Sequence, residues 1–173
     1  MKAMNYNPST IARIGDLTNG IRVDTSSMAA ATYLLIGDTQ TEIFNVYGRV
    51  RIHSLFGEVT TILDAQATVI YYNFTSTSPV IAVQPISSVS GSLSSLAVGE
   101  RIMWVGGAVA TAVVLTATAG ISDINPAPQI VGTVGGTGTI GILTATASMT
   151  SGALTFSIFY TPMSDGAYVT AAL

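Results

Sequence analysis

Gly138–Pro162 reads GTIGILTATASM, then Thr150-Ser151-Gly152, then ALTFSIFYTP. In the second arm Leu154, Phe156, Ile158 and Tyr160 alternate with Ala153, Thr155, Ser157 and Thr161. Successive side chains of a strand point to opposite faces of a sheet, so this period of two predicts a half-buried strand with the even-numbered set in the core. Thr150-Ser151-Gly152 is turn chemistry, and the two arms are expected to pair as a hairpin around it.

Working outward, the same grammar recurs. From Glu42 the chain reads as extended. Over Phe44–Phe56, Val46, Gly48, Val50 and Ile52 fall on one face, and Tyr47, Arg49, Arg51 and His53 on the other. Gly57-Glu58 predicts a break or bulge before Val59–Leu63. Ala67–Phe74 is apolar on both faces, as in a central strand. Ser87–Ser95 (SSVSGSLSS) reads as a loop too polar and flexible for the core. Arg101–Val105 and Val109–Ala119 predict two strands joined at Gly106-Gly107, and Ile130–Val134 another. Ile102–Ile121 is uncharged and long enough to span a bilayer as a helix. Its paired glycines and its Val and Thr content argue for strands instead.

Residues 1–32 read as an N-terminal arm, and 33–173 as the body with a short C-terminal tail after the Ser164-Asp165-Gly166 turn. Ile11, Ile14 and Leu17 are isolated aliphatics between turn residues, a spacing suited to lying along another surface. The fold expected is all-β: a single two-sheet β-sandwich, jelly-roll-like, with an extended N-terminal arm.

Charged residues are only 9% of the 173-residue chain, against roughly 25% in a typical soluble domain. A surface so weakly charged is poorly protected against association, which points to self-assembly or a partner. The net charge is −3 and there is no basic tract, so nucleic acid is not expected as a partner, nor is a membrane. Cysteine is absent, which removes disulfides, thiolate metal sites and thiol nucleophiles.

No residue pattern predicts a catalytic, cofactor or metal site. The one histidine, His53, follows two arginines on its strand face and has no Gly-x-Ser-x-Gly elbow to serve. The nine acids are scattered singly, most of them beside turn residues. Gly132–Gly141 lacks the Lys-Ser/Thr and the following helix of a phosphate loop. Arg49, Arg51 and His53 are the one concentration of positive charge. They are expected to form an interface stripe, since arginine is enriched where proteins meet.

A resemblance completes the reading. Gly48-Arg49-Val50-Arg51-Ile52 through Gly57-Glu58-Val59-Thr60-Thr61 resembles the first core strands of small structural proteins of tailed bacteriophages. Gly152-Ala153-Leu154 through Phe159-Tyr160-Thr161-Pro162-Met163-Ser164-Asp165-Gly166-Ala167-Tyr168-Val169 is similar to their final strand and tail. Gly15-Asp16-Leu17-Thr18-Asn19-Gly20-Ile21-Arg22-Val23 fits the same style. The middle, roughly residues 75–135, carries no such likeness. The resemblance implies a non-enzymatic virion protein, a capsid decoration or cement protein on the outer surface of the phage head. Its partners would be the major capsid protein and itself, as a dimer or trimer, through Arg49, Arg51, His53, Ile11, Ile14, Leu17 and Tyr168. The alternative is a tail, baseplate or fibre-associated protein that binds host glycans through Tyr71, Tyr72, Trp104 or Tyr168.

Overall fold

The computed structural model describes residues 20–37, 40–104, 114–116 and 129–173. The elements are β1 (Ile21–Asp24), β2 (Met28–Ala29), one helical turn α1 (Ala30–Tyr33), β3 (Thr41–Tyr47), β4 (Val50–Thr61), β5 (Val69–Ser78), β6 (Gln84–Pro85), β7 (Arg101–Trp104), β8 (Val114–Thr116), β9 (Gln129–Val131), β10 (Thr137–Ala145), β11 (Ala153–Pro162) and β12 (Tyr168–Ala171). They form two antiparallel sheets. The seven-stranded sheet runs β1-β11-β4-β7-β8, with β2 also on β11 and β9 also on β4. The five-stranded sheet runs β12-β3-β10-β5-β6.

This is the all-β sandwich expected, and its strand order is that of a jelly roll. The chain folds back on itself between β5 and β6, so that β5 pairs β6, β4 pairs β7, β3 pairs β10 and β1 pairs β11. The doubled ribbon is then wrapped, so that the pairs β1–β11 and β4–β7 lie in one sheet and β3–β10 and β5–β6 in the other.

That wrapping corrects the expected hairpin. β10 and β11 do not pair: β10 lies between β3 and β5, and β11 between β1 and β4. The residues between them cross from one sheet to the other, a gap of roughly 10 Å. Met149 is buried in that crossing and donates its N–H to the Leu34 carbonyl at 2.9 Å. At the expected Thr150–Gly152 turn the chain only bends, at Ser151, and Asp64 holds the bend. Its carboxylate accepts the Thr150 N–H at 2.6 Å, the Thr150 hydroxyl at 2.5 Å and the Ser151 N–H at 3.2 Å. The Thr150 hydroxyl does most to hold the Asp64 pKa below its ordinary range, slight burial opposes it, and backbone N–H groups of Thr150, Gln66 and Ser151 add to the lowering.

The expected continuous strand Phe44–Phe56 is likewise two strands in different sheets. Gly48, at φ +73°, turns the chain from β3 to β4, and its N–H is received by the Gly136 carbonyl at 2.8 Å. The break expected at Gly57 is absent, because β4 runs straight through it. A Cβ at Gly57 would sit 2.7 Å from the Phe156 ring across the strand pair, so the glycine makes room for the ring and the ring covers its backbone.

Leu154, Phe156, Ile158 and Tyr160 do face the core, between Ile52, Leu55, Trp104, Ile140 and Ile142. Two tyrosines tie the sheets together. The Tyr72 hydroxyl, on the five-stranded sheet, donates to the Ile102 carbonyl at 3.2 Å, and burial raises its pKa far above the usual phenol range. The Tyr160 hydroxyl accepts the Val169 N–H at 3.1 Å.

The serine loop is also core-forming. Ser87 and Ser90 are buried, and their hydroxyls accept the Tyr72 and Ile70 N–H groups at 2.9 and 3.0 Å. The Ile86 and Ser90 N–H groups return bonds to the Tyr72 and Ile70 carbonyls. Side-chain oxygens thus replace the carbonyls of a missing neighbouring strand, and Ile86 and Leu93 enter the core beside them.

Both expected appendages shrink. Residues 21–33 belong to the body, because β1 and β2 extend β11. Ala167–Leu173 is no free tail, because β12 pairs with β3. Residues 1–19, with Ile11, Ile14 and Leu17, lie outside the described residues, as do Gly106-Gly107 and the Asp123–Pro128 turn. No helix among the described residues is long and apolar enough to cross a membrane.

Candidate interface on the seven-stranded sheet

The outer face of the seven-stranded sheet is built by the alternate residues that β1, β11, β4 and β7 turn away from the core. Four of them form a ladder. The Arg22 guanidinium lies over the Phe159 ring at 5.6 Å. Phe159 stacks on Phe56 with centroids 6.4 Å apart. Arg101 lies over Phe56 at 5.2 Å. A cation over an aromatic face is worth about 0.5–1 kcal/mol at an exposed site. The ladder therefore fixes two planar guanidiniums and two half-buried rings on one rigid surface.

Each end of the ladder carries a carboxylate. Arg22 Nε donates to Asp24 at 2.8 Å, and Arg101 Nε to Glu58 at 2.9 Å. The Ser157 hydroxyl donates to the same Asp24 oxygen at 2.5 Å. Burial works to raise the Asp24 pKa, but Ser157 and Arg22 outweigh it and hold the carboxylate below its ordinary range.

The expected stripe is present in altered form. Arg49 is exposed in the turn between β3 and β4, and Arg51 is half-buried on β4 beside Ile130, which is 50% exposed. Neither guanidinium has a hydrogen bond or ion pair among the described residues. His53 is not simply the next residue of the row. Phe159 pairs with Ser54 and Tyr160 with Ile52, which leaves His53 as the extra residue of a β-bulge. Its Nε2 is 2.7 Å from the Thr161 hydroxyl, and a Cβ at Gly20 would touch its ring at 3.4 Å.

Burial first, then the charge of Arg51, lowers the His53 pKa. The neutral ring is the folded form, so stability is full above the ordinary histidine value of about 6.5. It declines as pH falls from there through the lowered folded value, because the unfolded chain takes up the proton first. NMR titration is expected to give a His53 midpoint below that of a histidine peptide; a midpoint above it would mean that a carboxylate faces the ring.

Beside this face, Ile81, Pro85, Ile86, Ile130 and Val131 line a cleft of about 280 Å³ between the sheets, open at the β6/β9 edge. The Gln129 Oε1 and Thr133 Oγ1 atoms are buried there without a hydrogen-bond partner among the described residues. Tyr168 is elsewhere, 46% exposed on the five-stranded sheet and stacked on Tyr47. Of the aromatics expected to meet glycans, Tyr72 and Trp104 are fully buried core residues and cannot do so. Tyr71 is half-buried. Sequence reasoning missed the Phe56–Phe159 pair, although Phe159 is the one aromatic among the small outward residues of β11.

No protein-family model, curated protein or solved structure matches the chain.

Proposed function

We propose that the chain is a non-enzymatic virion structural protein of a tailed bacteriophage, a decoration or cement protein bound to the outside of the head. Its docking surface is the outer face of the seven-stranded sheet. The observation that carries the reading is the segregation of charge. All the described arginines, Arg22, Arg49, Arg51 and Arg101, lie on that face or its rim. Two of them carry their own carboxylates, while Arg49 and Arg51 are left for a partner's. A flat ladder of arginine and phenylalanine, with Ile130 beside it, has the composition of an interface centre.

A cement protein acts by bridging joints between major capsid subunits. Many modest contacts on one lattice add through effective concentration, so no deep pocket is required. Self-association as a dimer or trimer would multiply them further. The resemblance of the first and last core strands to phage structural proteins supports the same reading. The fold alone does not, since jelly rolls serve many roles.

Arg49→Glu with Arg51→Glu is expected to weaken binding to undecorated heads about tenfold or more in a pelleting assay. Thermal unfolding of the isolated protein should stay nearly unchanged, as for most surface substitutions. Collapse of folding would make those arginines structural, and imaging that places the protein on the tail would move the reading there.

A further inference from the structure

The opposite face of the sandwich has a different chemistry. Register places the outward residues of the five-stranded sheet in ranks across its strands. One rank is Thr170, Asn45, Thr139 and Thr75; the next is Tyr168, Tyr47 and Thr137. The Thr77 hydroxyl joins the second rank, 2.8 Å from that of Thr137. Between the ranks runs a groove of about 320 Å³ lined by Glu42, Asn45, Tyr47, Thr77, Thr137 and Thr139. At its rim the Tyr47 and Tyr168 rings stack nearly parallel, 15° apart with centroids at 4.4 Å.

We propose that this face binds a neutral oligosaccharide. This goes beyond the capsid-binding role and uses the other side of the molecule. The argument is one of matching chemistry. The strand residues of this face include no described cation, so phosphate, sulfate or sialic acid would find no counter-charge. Its hydroxyls pair within the face, Thr75 donating to Gln40 at 3.0 Å and Thr77 bonding Thr137 at 2.8 Å, which leaves acceptor lone pairs that a greasy peptide would bury without a donor. What the face offers is a dense array of neutral donors and acceptors beside an aromatic stack.

A sugar presents the complement, hydroxyls around its edge and a C–H face that packs on a ring. Each threonine hydroxyl has one donor and two acceptor sites, of which the Thr77–Thr137 bond uses only part. The Asn45 amide, which can donate and accept, has no partner among the described residues. The Glu42 carboxylate already accepts the Thr139 hydroxyl at 3.3 Å and has further lone pairs for a sugar hydroxyl. The array is also pre-organised. Threonine is stiff at χ1 and the sheet holds its spacing, so little order must be imposed on binding.

The test is a glycan array probed with the full chain displayed on beads, followed by titration of the hits against soluble protein. The array holds neutral glucose, galactose and N-acetylglucosamine oligomers beside sialylated and sulfated ones. Neutral oligomers are expected to bind, and Tyr168→Ala and Asn45→Ala to cut that binding at least tenfold, while Arg51→Glu on the other face leaves it unchanged. Glu42→Gln, which removes charge but little volume, is expected to cut it several-fold. It keeps the test decisive if Tyr168→Ala loosens β12. Absence of neutral hits, preference for the anionic oligomers, or equal loss in Arg51→Glu would overturn the proposal. So would self-association that these variants abolish without any sugar binding, which would make the face a contact between copies of the chain.

Discussion

Phe156→Ala is expected to lower the unfolding free energy by about 3–5 kcal/mol, the cost of removing a large aromatic from a packed core. Phe156 is fully buried at the centre of β11 and meets the Tyr72 ring edge-on at 6.3 Å and 86°. It also covers Gly57, so the substitution leaves a void and bares a strand glycine. Phe159, three residues on, is the control. It lies on the outer face, half-buried against Phe56 and under Arg22, and Phe159→Ala is expected to cost clearly less, about 1–2 kcal/mol, because a half-exposed ring loses less buried area and leaves no closed void. Urea unfolding of both variants with unchanged m-values would measure the contrast. Equal losses would mean that the outer face is as well packed as the core.

Gly132→Ala is expected to be the most damaging small substitution. Gly132 has φ +80°, a left-handed conformation that costs an L-residue about 1–2 kcal/mol. Its added Cβ would overlap the Gly48 carbonyl oxygen, in the turn where the chain passes between sheets. Backbone on both sides must then shift. Gly135, at φ +68° with no atom within 4 Å of its would-be Cβ, isolates the conformational part. Gly135→Ala should cost only that 1–2 kcal/mol, and Gly132→Ala clearly more, with a lower midpoint of thermal unfolding. If the two variants unfold alike, the β9–β4 junction is more yielding than its geometry shows.

These residues also mark how far the sequence could be read. The alternation through Leu154, Phe156, Ile158 and Tyr160 sets the face of β11 correctly, because a period of two follows from strand geometry alone. It carries no information about which strand lies alongside, so β10 and β11 look like a hairpin when they sit in opposite sheets. Gly57 reads as a break because the ring that covers it belongs to a residue 99 positions later. The serines at 87 and 90 read as loop because their hydroxyls act in place of backbone carbonyls, a use that composition does not reveal.

The candidate interface was half legible for similar reasons. Arg51 and His53 stand out as charges on one strand face, but the bulge that sets His53 apart depends on the register with β11. Phe159 occupies an outward position of β11 but was not singled out among its small neighbours. Its meaning depends on Phe56 and on the arginines of β1 and β7, which only the sheet order brings beside it.

The folded-back pairing of the chain has a consequence for its synthesis. Among the described residues β1 and β2 pair only with β11, and β3 only with β10 and β12. The N-terminal strands therefore emerge from the ribosome long before their partners exist. Neither sheet can close until residues 137–173 have been made, and until then the apolar faces of β3, β4 and β5 are without their cover. Pairings this distant in sequence form slowly and leave strand edges open in the meantime. A nascent chain stalled before β10 should thus be protease-sensitive along its whole length, and release of the last strands should convert it to the resistant form in one step.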